Sequence, residues 1–261
     1  MKNRFRIILI FSTLTINALA QGETIINSGN FLTKKENIVI EKALQYKTDF
    51  FNQLFSEKTI NSSEIKFVVA DNIGKYLYLQ SKYGLLSTNS SGFFSPKDST
   101  VVVFKDKKNE NSKSFLRICF HELSHAFLYL HIGDDYIPAW FIEGLAIYHE
   151  QMLYDKKVIK QRINSYYVAR VKTLIQLKEI NLTEFVNWDY KKFSIESFSQ
   201  EGYGYAIGYC ITLFLMQQNK EMAFTIFRNH VNEYSTVDVF DNHYSGGFIQ
   251  FEKDFIEHFR K

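Results

Sequence analysis

Residues 119–131 read CFHELSHAFLYLH, and inside this apolar run His121, Glu122 and His125 fall within five positions. On a helix, residues four apart share a face, so both imidazoles can address one metal ion while Glu122 projects beside them. The flanks are not those of a solvated surface: Leu116, Ile118 and Phe120 precede the group, and Ala126, Phe127 and Leu128 follow it. Ionisable groups in such surroundings are costly unless partnered. A zinc ion, which takes imidazole nitrogen and carboxylate oxygen, would partner them. His121 and His125 are therefore candidate ligands, and Glu122 is the candidate general base for a water activated at the ion.

A third ligand is expected from Glu143 in PAWFIEGLA, eighteen residues after His125. A turn over Gly133–Pro138 lets a second helix fold back and bring that carboxylate to the ion. Its neighbours Phe141, Ile142, Leu145 and Ala146 are apolar, unlike those of an exposed helical glutamate. Gly144 costs about 1 kcal/mol inside a helix, which points to a close backbone approach there. Asp134 and Asp135 sit in the turn and read as capping residues. His131, His149, His230, His243 and His258 have no ligand spacing and read as surface or structural histidines.

The elements that must position these groups follow from the pattern. Residues 32–55 read as a helix with a capping box of Thr33 and Glu36. IKFVVA (65–70) and TVVVF (100–104) are β-branched strands, separated by a polar loop. Helices are expected over about 114–132, from Pro138 through AWFIEGLAIYHEQML, over roughly 158–179, at 202–218 and at about 220–234. A last one, GFIQFEKDFIEHF, carries Phe248, Phe251, Phe255 and Phe259 on one face. Strands first and helices afterwards predict an α+β domain, with residues 21–113 supplying a small sheet and 114–261 the helical part with the metal site.

HELSH followed by PAWFIEGLA resembles the gluzincin clan of zinc metallopeptidases, and within it the peptidase MA-like family. The likeness extends over roughly residues 65–261, including GFFSPKDSTVVVF before the active-site helix and YGYAIGYCITLFL after it. It implies a zincin-like, thermolysin-like fold, with zinc on His121, His125 and Glu143 and Glu122 as base. It also implies an oxyanion-stabilising tyrosine on a later helix, for which Tyr205 is the best match and Tyr203 the alternative. TVVVF would then be the strand bordering the cleft, able to hold an extended peptide. One departure is clear: better-known gluzincins often carry an acid four residues after the glutamate ligand, and here that position is Ile147.

Composition fits this reading. The chain of 261 residues is 46% hydrophobic and 16% aromatic, enough for one large core. Lys2, Arg4 and Arg6, the apolar IILIFSTLTI and Ala18-Leu19-Ala20 form a signal peptide over residues 1–20, so an exported mature chain of 21–261 is expected. Removing those three cations brings the 31 basic residues level with the 28 acidic ones. The basic excess belongs to the leader and does not argue for nucleic acid. No later stretch is long enough to span a bilayer. Cys119 and Cys210 lie in apolar segments, either as a disulfide or as buried thiols. The expected activity is hydrolysis of a peptide or protein substrate. The competing reading is a catalytically silent zincin-fold binding module, which metal content and a Glu122→Gln variant would separate from a peptidase. Peptide deformylases also carry HExxH, but their cysteine ligand has no counterpart here.

Overall fold

The computed structural model describes residues 26–27, 31–85, 90–106, 112–155, 158–200, 202–231, 233 and 235–260. The signal peptide expected at 1–20 lies outside the described residues. The architecture is α+β, mostly helical with a small sheet.

The sheet has the order β1 (Ile26–Asn27), β2 (Lys66–Ala70), β4 (Thr100–Phe104) and β3 (Gly92–Ser95). β1, β2 and β4 are parallel, and β3 closes the row antiparallel to β4 with Gly92 opposite Val103 and Ser95 opposite Thr100. Strand alternation sends Phe67, Val69, Val101 and Val103 into the main core. It sends Ala70, Val102 and Phe93 to the opposite face, where Tyr76 of α2 (Ile73–Lys82) covers them. Burial on both faces explains why β2 and β4 read as continuous apolar runs. The expectation that TVVVF borders the cleft is corrected: β4 is flanked on both sides, and the edge strand is β3. GFFS had been hidden in what reads as a polar loop.

Helix α1 (Lys34–Leu54) starts at the expected capping box, Thr33 and Glu36 satisfying each other's backbone N–H groups. Glu36 also pairs with Lys105 at 2.8 Å, both buried, tying the head of α1 to the end of β4. α3 (Ser112–Ile132) packs beneath β3 and β4 and stops at Gly133, whose φ of 67° is a left-handed C-terminal cap. Pro138 caps α4 (Ala139–Glu150) from outside its first turn.

Downstream the pattern was read too helically. β5 (Met152–Asp155) and β6 (Val158–Gln161) pair antiparallel, so the next helix, α5 (Ser165–Leu177), begins later than expected. The polar stretch after it holds α6 (Leu182–Phe185) and α7 (Tyr190–Ser199). α8 (Tyr203–Gln218) is buried almost all round. α9 (Lys220–Asn229), α10 (Thr236–His243) and α11 (Gly247–Arg260) complete the lobe. All four phenylalanines expected on one face of α11 are buried. Cys119 and Cys210 are buried free thiols, not a disulfide. Among the described residues no helix is long and apolar enough to cross a membrane.

Candidate metal centre

α4 runs back along α3, with positions late in one facing positions early in the other. His121 and His125 stand one turn apart on α3, with their Nε2 atoms 3.1 Å from each other. Glu143 reaches them from α4, its Oε2 3.5 Å from His121 Nε2 and 3.9 Å from His125 Nε2. Donors bound at about 2.0–2.1 Å around a tetrahedral ion are spaced by roughly 3.3 Å, so these separations bracket what one zinc-sized ion needs. Two imidazole nitrogens and a carboxylate oxygen suit zinc and several other transition metals. Asp134 and Asp135, in the turn, are not part of this cluster.

Two further side chains orient the cluster. Glu150, seven residues after Glu143, places Oε2 3.6 Å from His121 Nδ1. A proton on that nitrogen faces the carboxylate and leaves the Nε2 lone pair for an ion. Thus an acid does serve the histidine, three residues beyond Ile147, which is buried in the core. Tyr190, the first residue of α7, donates its hydroxyl to Glu143 Oε1 at 3.0 Å and so turns Oε2 toward the imidazoles. Glu150 shares a helix face with Glu143 and was discoverable from the i, i+7 spacing. Tyr190 was not, because only tertiary folding brings it near.

Burial disfavours charge on His121, but Glu143 and Glu150 outweigh it and raise the ring to about 10. Glu143 is likewise opposed by burial, yet His125, His121 and the Tyr190 hydroxyl hold it down at about 2. His125 is driven to about 4 by burial, against the attraction of Glu143. His121 and Glu143 thus each favour the other's charged form. Glu122 is raised to about 7 by burial, with Glu143 and Glu150 adding to the effect and His121 opposing it.

Glu122 lies beside the head of the edge strand. A β-carbon on Gly92 would sit 2.8 Å from Glu122 Cγ and 2.6 Å from Ile118 Cγ2, so only glycine lets β3 approach α3 this closely. Glu122 and His121 open into a cavity of about 320 Å3 between the head of β3, α3 and the end of α4. On the far side of α3, Ser124 Oγ accepts from the fully buried Lys47 at 2.6 Å, donates to Phe120 O and contacts His149 Nδ1 at 3.0 Å.

Of the two tyrosines expected near the oxyanion, the structure separates one from the other. Tyr203 is buried and donates its hydroxyl to Glu179 O at 3.1 Å, a structural role. Tyr205 is half-buried, packs edge-on against Phe193, and has its hydroxyl pushed up by burial and by Glu143 and Glu122, which puts it in electrostatic reach of the cluster. Compared with known proteins, the chain matches no family model and no curated sequence.

Proposed function

We propose that this chain is an exported, zinc-dependent metallopeptidase with a zincin-like fold. The observation that carries the reading is three convergent donor atoms with ion-sized spacing next to a buried carboxyl, Glu122, at an open strand edge. His121, His125 and Glu143 would hold the zinc. When bound, it would polarise a substrate carbonyl and acidify a water. Glu122 takes the proton of the attacking water and passes it to the leaving amine, a task for which its place beside the donor cluster and the cavity suits it. Tyr190 and Glu150 keep two of the donors aimed inward. The Tyr205 hydroxyl donates a hydrogen bond to the developing oxyanion. The edge of β3 that no strand covers among the described residues offers backbone groups to an extended peptide.

The test is a peptide-library digest by the purified mature protein, with and without a chelator, alongside elemental analysis. One equivalent of zinc, chelator-sensitive cleavage, and a zinc-loaded but inactive Glu122→Gln variant are expected. Zinc bound without any hydrolysis would instead indicate a silent binding module. A protein without stoichiometric transition metal would falsify the metal reading altogether.

A further inference from the structure

The cavity beside the histidines carries a cation that the proposed hydrolysis does not use. Arg117 stands one turn before His121 on α3 and shares its face. It is exposed to solvent, and its Nη2 donates to a neutral partner, Gln151 Oε1, at 3.2 Å. Among the described residues no carboxylate forms an ion pair with this guanidinium. Glu150, the nearest acid in sequence to Gln151, faces His121 instead. Ser90, Ser91 and Ser114 line the same space together with the Glu122 and Glu150 carboxylates, the latter held against His121, and Ile118 is its one large apolar side chain. An apolar substrate group would gain little contact there. A carboxylate would gain charge-assisted hydrogen bonds from a planar donor fork.

Direction follows from the strand. β3 runs from Gly92 to Ser95, and its one strand partner among the described residues, β4, is antiparallel. A peptide added antiparallel to the open edge runs from the Ser95 end toward the Gly92 end. The part of it beyond the scissile bond therefore enters the cavity at Ser90, Ser91 and Arg117.

We propose that Arg117 makes this cavity a carboxylate-binding subsite, so that the preferred substrate carries a carboxylate just past the scissile bond. The inference rests on the metallopeptidase reading, but its test does not depend on turnover. A carboxylate there has two sources, an aspartate or glutamate side chain or the free C-terminus of the substrate.

The experiment uses a set of peptides sharing one scissile bond. The following residue is Asp, Glu, Asn, Gln, Leu or Lys in internal position, and a second pair ends there as the free acid or the amide. Dissociation constants are measured on the zinc-loaded Glu122→Gln protein, and kcat/KM on the wild type. The acidic member of each informative pair is expected to win by roughly tenfold, the effect of one charge-assisted bond. Preference for Asp and Glu assigns the side chain, and preference for the free acid over the amide assigns the C-terminus. Arg117→Gln should bring the ratio near one, and Arg117→Glu should favour peptides with Lys at that position, an inversion no merely structural role produces. Equal binding of acidic and neutral peptides, no binding of any acidic peptide, or an unchanged ratio in Arg117→Gln overturns the subsite. Cleavage without acidic preference removes this proposal alone. Arg117-dependent binding without cleavage removes the hydrolysis and leaves the subsite standing.

Discussion

Gly144→Ala is the sharpest test of how the metal centre is held in place. A β-carbon at residue 144 would collide with the Gly208 carbonyl oxygen of α8, lying 2.6 Å from its carbonyl carbon and 2.8 Å from Thr212 Oγ1. The crossing has no slack on the other side either, since a β-carbon on Gly208 would meet Trp140 O at 2.8 Å. Backbone atoms cannot rotate away as a side-chain tip can, so α4 and α8 must separate. Overpacking of this kind costs about 1–3 kcal/mol, and a backbone neighbour argues for the upper end. Alanine returns about 1 kcal/mol of helix propensity. The net loss is then about 2 kcal/mol, or a fall in Tm of roughly 4–8 °C for a chain of this size. The displaced helix carries Glu143, so zinc affinity should fall as well, by roughly tenfold or more. Differential scanning calorimetry and a competitive zinc titration read the two effects. Gly74→Ala in α2 is the control, because its β-carbon would meet nothing closer than Asn72 Oδ1 at 3.4 Å; it should hold or raise Tm. If Gly144→Ala raised Tm as the control does, the close crossing would be wrong.

Three other outcomes follow from the geometry. Tyr190→Phe and Glu150→Gln each remove one orienting partner, and each should weaken zinc binding by roughly tenfold or more with little change in Tm, measured by chelator competition. Zinc must expel the proton that Glu143 and Glu150 hold on His121, raised to about 10, so apparent affinity should climb by about tenfold per pH unit through neutrality; calorimetry in buffers of different ionisation enthalpy should show about one proton released per ion, and heats independent of buffer would contradict the assignment. Lys47→Met should leave stability near neutrality unchanged or raise it despite losing the bond to Ser124, because burial drives the Lys47 amine well below its ordinary 10.5. The folded chain gives up that proton at a lower pH than the unfolded chain does, so between the two wild-type stability should rise with pH, and the variant should lose this slope in unfolding curves.

What could be read from the sequence depended on how local its cause was. The capping box of α1, the HExxH spacing, the Phe stripe of α11 and the glycine beside Glu143 are short-range signals, and each lies where it was expected. β3 escaped because four residues give too little alternation to register as a strand, although the whole cleft edge depends on them. VIKQ was absorbed into a helix because its pattern is weak and the following segment is helical. Tyr190 lies 47 residues from Glu143, and the Lys47–Ser124 bond spans 77. No periodicity reports such pairs. They exist because α7 and α1 dock on the α3–α4 pair, which is a property of the packed chain.

The proton shared out between His121 and Glu143 bears on the order of events in the protein's life. Small zinc modules collapse without their ion because like-charged or bare ligands have nothing else to hold them. Here the cradle is backed by a large core, and His121 and Glu143 favour each other's charged form. Under the proposed zinc reading, folding would not wait for the ion, and the surrounding supply of zinc would set activity while the scaffold stays intact.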